Sequence, residues 1–161
     1  MKKQDLHIQI SIFDSKEELT EATNALFLEA EKARENAYAP YSNFRVGAAI
    51  LLDNGKIITG NNQENAAYPS GLCAERVAVY FAGAQFPNNK ILQMAVTARS
   101  EKQILNKPIP PCGSCRQAIA EYEIKQNQPI EIYFMGETGQ VYKTDSIKAL
   151  LPLLFDSSSL K

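Results

Sequence analysis

The chain has 161 residues, 45% of them hydrophobic, which is enough apolar surface for one sizeable core and short for two. Its 17 Lys plus Arg against 18 Asp plus Glu leave a formal charge of −1; no basic surplus exists to neutralise a long phosphate backbone, and a small, neutral substrate fits better than nucleic acid. No run approaches the ~20 apolar residues that span a bilayer, and Met1 to Asp5 lacks the apolar core of a secretory signal, so the expectation is a cytoplasmic protein that binds neither membrane nor nucleic acid.

Ser15 with Glu18 three residues later reads as a capping box, after which Leu19, Ala22, Leu26, Ala30 and Ala33 recur on one helical face. The first helix is expected from about Lys16 to Tyr38, ended by Pro40. Val46 to Leu52 is a continuous apolar segment, and Asp53-Asn54-Gly55 supplies the left-handed residues of a tight hairpin before Lys56 to Gly60. A helix beginning near Cys73 places Val77 and Phe81 on the same stripe as that cysteine. Ile91 to Ala98 reads as a buried strand, and a helix beginning near Gly113 turns Ala118, Ile119 and Tyr122 inward. Ile130 to Met135 is a further strand, and Gln140 to Thr144 the last, reached through Gly136 and Gly139. Ser146 to Leu151 is expected as a short terminal helix stopped by Pro152. Five strands interleaved with helices make the class α/β, in one domain over residues 1–161, with no internal repeat.

The chemistry is concentrated in Cys73, Cys112 and Cys115, the only cysteines in the chain. Glu75 lies two residues beyond the first, and Pro111 directly precedes the second. Soft thiolates hold Zn²⁺ well, and three protein ligands leave one coordination position open for water, which means catalysis rather than scaffolding. A redox-active Cys-x-x-Cys, or three thiols that are merely buried, explains neither Glu75 nor Pro111. A closed structural zinc site needs a fourth ligand, and the one histidine, His7, sits in a polar amino-terminal stretch. Cys-x-Glu followed by Pro-Cys-x-x-Cys resembles the motif of zinc deaminases that attack C4 of cytosine or C6 of adenine, with Cys in place of the usual His.

Zn²⁺ with three Cys⁻ carries a formal charge of minus one, which hinders ionisation of a bound water. Helix amino termini at the cysteines offset part of that excess, and Arg76 is expected to add a positive charge through hydrogen bonds to the sulfurs; its bland alternative is a surface cation. Glu75 is the expected proton shuttle, accepting from water and giving to the ring nitrogen and then to departing ammonia; otherwise it is a charge at a helix amino terminus.

Tyr41-Ser-Asn-Phe44-Arg-Val-Gly47, Gly60-Asn-Asn62-Gln-Glu64-Asn-Ala66-Ala-Tyr68-Pro69, Cys73-Ala-Glu75-Arg76 and Pro111-Cys112-Gly-Ser-Cys115-Arg-Gln together resemble the cytidine deaminase family in its small tetrameric form. The resemblance runs from the first helix to Leu151-Pro152. It implies a three-layer α/β/α sandwich with a five-stranded mixed sheet, and a homotetramer with one zinc per subunit. The implied reaction is hydrolytic deamination of cytidine and 2′-deoxycytidine to uridine and 2′-deoxyuridine, a step of pyrimidine salvage.

By position, the resemblance makes Asn62 and Glu64 partners of the ribose 3′-hydroxyl, Phe44 an aromatic wall, and Ala74 a further substrate contact. Ala66 and Tyr68 match positions reaching an adjacent subunit's nucleoside, and Phe155 the aromatic that stacks over a pyrimidine from another chain. Without the resemblance, Asn62 and Glu64 are loop residues, and Phe44 and Phe155 packing residues. The stretch from Arg99 to Pro110 is longer than the family pattern and is expected to reshape the pocket rim, while the 1–14 extension and the 156–161 tail carry no readable motif. A blasticidin-type nucleoside antibiotic deaminase, a non-catalytic zinc module and a polynucleotide editor are the competing functions.

Overall fold

In the computed structural model, which describes residues 1–160, a six-stranded mixed sheet forms the middle layer. Its strands are β1 (Ser11–Phe13), β2 (Phe44–Leu52), β3 (Ile57–Asn61), β4 (Ile91–Ser100), β5 (Glu131–Met135) and β6 (Val141–Thr144), in the spatial order β1-β6-β5-β4-β2-β3. β4 and β5 are parallel, and every other neighbouring pair is antiparallel. The helices are α1 (Glu21–Glu35), α2 (Ala74–Gln85) and α3 (Gly113–Lys125).

Side chains of a strand alternate between faces, and here the two faces hold two separate cores. Ala48, Ile50 and Leu52 of β2, Met94 and Val96 of β4, and Ile132 and Phe134 of β5 pack with Ala78 and Val79 of α2 and Ile119 and Ala120 of α3. The intervening residues Ala49, Ala95, Tyr133 and Met135 pack with Leu26, Phe27 and Ala30 of α1 on the other side. The expected α/β/α layering is therefore present, with α1 alone on one face. Small residues let the helices approach closely: a Cβ on Gly47 would lie 1.9 Å from the Ala30 carbonyl oxygen, so α1 rests on the β2 backbone itself.

Four expectations need correction. The sheet has six strands rather than five, because Ser11–Phe13 of the amino-terminal extension pairs with β6 and forms an edge. The first helix is shorter than Lys16 to Tyr38. Ser15 makes no side-chain cap and opens only a short 3-10 turn at Lys16–Glu18, whereas the Thr20 hydroxyl accepts from the Thr23 amide at 3.2 Å and starts α1. Ala22 is exposed on that helix while Thr23 is buried. α1 ends at Glu35 because the Tyr38 backbone serves the neighbouring loop, donating to the Asn62 carbonyl at 3.0 Å and accepting from the Glu64 amide at 2.9 Å.

The remaining two corrections concern faces and ends. Phe81 is exposed and Val77 only half-buried: α2 buries Ala74, Glu75, Ala78, Val79 and Ala82 instead, so the stripe from Cys73 through Val77 to Phe81 runs along the edge of the core-facing side. The carboxy-terminal helix is a single 3-10 turn, Ile147–Ala149, capped by the Ser146 side chain on the Lys148 amide. Among the described residues no helix is long and apolar enough to cross a membrane.

Candidate metal and nucleoside site

Two helix amino termini converge at one point of the α2/α3 face. Cys73 is the N-cap residue of α2, Cys112 the N-cap of α3, and Cys115 stands in the first turn of α3. Their sulfurs all lie within 4.8 Å of one another, with Cys73 to Cys112 at 3.8 Å and Cys112 to Cys115 at 3.4 Å. The placement follows from packing: α2 rests on Gly60 of β3, where a Cβ would stand 2.4 Å from the Ala74 carbonyl oxygen. The crossover from β4 to β5 brings α3 alongside.

The electrostatics favour an anionic sulfur at Cys73. Hydrogen bonding from Cys115 lowers Cys73 most, burial opposes it, and Arg76 adds to the lowering, so the Cys73 thiol falls to about 5. Arg76 donates from Nη2 to the Cys73 sulfur at 3.8 Å. Cys115 is pushed up, chiefly by its bond to Cys73, then by burial and by the Glu75 charge. Unfilled helix amino termini add to the local positive potential.

Glu75 is 4% exposed, and its Oε2 has no hydrogen-bond partner. Burial foremost, reinforced by the Cys73 charge, raises its carboxyl above the ordinary range. A buried carboxyl atom without a partner costs free energy that a fold retains only where another group completes it. Three mutually close thiol donors beside that orphaned oxygen fit a zinc ion with one coordination position left for a reacting group. His7, exposed in the amino-terminal stretch, is outside this donor set.

A cavity of about 480 Å³ opens beside Cys73 and Arg76, lined also by Asn62, Glu64, Tyr68, Tyr41, Ser42 and Leu72. Glu64 is braced within it: its carboxylate accepts from the Tyr41 amide at 2.9 Å, the Ser42 amide at 3.2 Å and the Ser42 hydroxyl. Burial would raise Glu64, but these bonds outweigh it and hold the carboxyl below the ordinary range. Asn62 accepts from the Val46 amide at 2.7 Å and donates to the Phe44 carbonyl at 2.9 Å, so its amide also clamps the start of β2.

The other expected residues are more dispersed. Phe44 is half-buried and does not line this cavity, and the Ala74 side chain is wholly within the core. Ala66 is exposed, as are Tyr68 at 76% and Phe155 at 60%. Tyr41, Ser42 and Leu72 line the cavity without having been singled out; Tyr41 and Ser42 open the quoted segment ending at Gly47, which was the available signal. The Arg99 to Pro110 stretch does not reach the cavity rim. It lies across the β5–β6 turn, where the Leu105 carbonyl accepts from the Glu137 and Thr138 amides.

Residues 20–128 match the family described as the cytidine and deoxycytidylate deaminase zinc-binding region. A cytidine deaminase of Sporosarcina psychrophila is 40% identical over 135 residues, 84% of this chain and 92% of that one. One from Halalkalibacterium halodurans is 46% identical over 96 residues, 60% of this chain and 68% of the relative. The crystal structure of cytidine deaminase from Burkholderia pseudomallei superimposes with a TM-score of 0.71 at 38% identity, over 85% of this chain and 100% of its own. That from Mycobacterium tuberculosis does so at 0.64 and 30% identity, over 83% of this chain and 97% of its own.

Proposed function

This chain belongs to the cytidine and deoxycytidylate deaminase zinc-binding family, and from that premise we propose that it hydrolyses cytidine and 2′-deoxycytidine to uridine and 2′-deoxyuridine with release of ammonia. The observation that carries the reading is the orphaned, buried Glu75 carboxyl in the first turn of α2, the helix capped by Cys73 of the three-thiol cluster. Cys73, Cys112 and Cys115 hold the zinc, which supplies Lewis acidity that makes water nucleophilic near neutral pH.

The protein's own groups then handle the protons. Glu75 accepts the proton of the attacking water and passes it to N3 of the pyrimidine, leaving C4 electrophilic. The C4–O bond forms; Glu75 then takes the remaining proton from the new C4 hydroxyl and delivers it to the amino group, so that the C4–N bond breaks, ammonia departs and the C4 carbonyl is left. A carboxyl whose affinity for protons is raised by burial suits this double duty, because it can hold the proton between the two transfers. Arg76 donates to Cys73 and moderates the negative charge collected on the sulfurs.

Recognition of the sugar falls to the cavity beside Cys73. Glu64, held ionised by the Tyr41–Ser42 turn, and Asn62, which keeps one amide hydrogen beyond its bond to Phe44, are the partners we assign to the ribose 3′-hydroxyl. Such polar partners discriminate against a free base, which would leave them unpaired. Phe44, half-buried at the start of β2 and outside the lining of this cavity, reaches the nucleoside as an aromatic wall only if its ring turns toward the cavity on binding, and Ala74 contributes only its backbone amide at the helix amino terminus.

Exposed Tyr80, Phe81, Tyr68 and Phe155 support assembly into a homotetramer in which Ala66, Tyr68 and Phe155 reach a neighbour's nucleoside. The thiol ligands suit a reducing, cytoplasmic setting. The test is to add cytidine, deoxycytidine, adenosine and single-stranded DNA to purified protein and follow ammonia release with ultraviolet absorbance. Turnover of the two cytosine nucleosides alone is expected. Activity on adenosine or DNA, or none on any of them, contradicts the proposal.

A further inference from the structure

The cysteine-bearing helix α3 is tied to the carboxy-terminal segment at three places along its length. Toward its end, buried Glu123 accepts from the Ile147 amide at 3.1 Å and from the Ser146 hydroxyl at 2.5 Å. Two turns earlier Arg116 forks, donating from Nε to the Pro111 carbonyl at 2.8 Å and from Nη1 to the Leu150 carbonyl at 2.7 Å. Beside it, Gln117 Nε2 donates to the Phe155 carbonyl at 2.9 Å. Residues 146–155 thus run along α3 toward the end that carries Cys112 and Cys115.

The same segment contains a held distortion. Leu153 has φ of 55°, a left-handed backbone, while its side chain is 90% exposed and gains nothing there from packing. A leucine stays in that conformation only where its surroundings over-determine it. Leu151 and Leu154 pack against the α2/α3 core on either side, and the Gln117 bond fixes the chain just beyond.

We infer that Arg116 and Gln117 are positioning residues that fasten the carboxy-terminal segment to the first turn of α3, so that Phe155 and the sulfur ligands keep a fixed spacing. Arg116 is suited to this because one planar guanidinium reaches both the carbonyl preceding Cys112 and that of Leu150; a lysine, with a single ammonium, would serve one of the two. The kinetic consequence rests on the proposed reading that Phe155 covers a neighbouring subunit's pyrimidine. The mechanical link itself does not.

Hydrogen exchange and steady-state kinetics on the zinc-loaded full chain, for Gln117→Ala, Arg116→Lys and Phe155→Ala, separate the two levels. Amides of residues 150–156 should exchange about tenfold faster in Gln117→Ala and Arg116→Lys, with α2 unchanged. KM for cytidine should rise about tenfold, more than kcat falls, and Gln117→Ala combined with Phe155→Ala should be little worse than Phe155→Ala alone. Wild-type exchange over 150–156 in both variants overturns the fastening. Faster exchange with unchanged KM overturns the positioning role. Failure of the wild-type protein to turn over cytidine would instead sink the proposed reaction, and the exchange result would still decide the mechanical link.

Discussion

Gly60 lies directly beneath Ala74: a Cβ on Gly60 would stand 2.4 Å from the Ala74 carbonyl oxygen and 2.7 Å from the Ala78 amide. Sheet and helix therefore meet backbone to backbone one residue after Cys73. Gly60→Ala must push α2 off the sheet, at a cost of about 2–3 kcal/mol by comparison with other overpacked interiors. We expect a lower urea midpoint and less zinc retained per chain. An unchanged midpoint would mean that α2 is not seated by this contact.

Arg76 donates to the Cys73 sulfur and leaves its buried Nε without a partner. If its charge balances the thiolates, Arg76→Ala should lower zinc affinity about 10–100-fold, the range typical for groups that orient metal ligands. Competition with a chelator measures this directly. Wild-type affinity together with wild-type turnover would return Arg76 to the status of a surface cation.

The sheet strands and the two cysteine-bearing helices were legible because their signals are local. Val46 to Leu52 is a continuous apolar run, Asp53-Asn54-Gly55 marks its turn, and Cys73 and Cys112 do precede helices. What was missed depends on long-range partners. Ser11–Phe13 is too short to announce itself and becomes a strand only by pairing with Val141–Lys143. Ser15 carries the cap pattern in the sequence, yet the cap of α1 is Thr20, set where α1 meets the sheet and places Leu26 and Phe27 in the core. The outward face of Phe81 could not be read from a helical stripe whose buried positions are mostly alanines. At the site, the three-cysteine motif named the metal ligands, but nothing in its spacing disclosed that Asn62 would also clamp Phe44 and Val46.

Glu64 gives a pH prediction whose sign is fixed by its lowered carboxyl. The stabilisation it provides is fully present above its unfolded value of 4.5 and is lost as pH falls through the lower folded value. Glu64→Gln should cost about 1 kcal/mol at pH 7, the low end for charge-assisted bonds because the carboxylate still meets water. The gap between variant and wild type should close on acidification below 4.5. Urea titrations at several pH values test this; a gap that widens in acid contradicts it.

Burial raises Glu75, so its sign is opposite: as pH climbs above its unfolded value of 4.5, the buried carboxyl increasingly destabilises the fold. Glu75→Gln should therefore melt at a higher temperature than wild type at neutral pH when both are stripped of metal, and the difference should vanish below 4.5. Equal melting at neutral pH would show that the carboxyl is not strained by its surroundings.

The decisive comparison is cytidine turnover by wild type and by Glu75→Ala, with zinc per chain measured on the same samples. Both proteins should carry one zinc, and the variant should lose about 10²–10⁴-fold in kcat, the scale of general acid–base catalysis. A zinc-loaded variant that turns over at close to the wild-type rate would contradict the assignment of the proton transfers to this carboxyl.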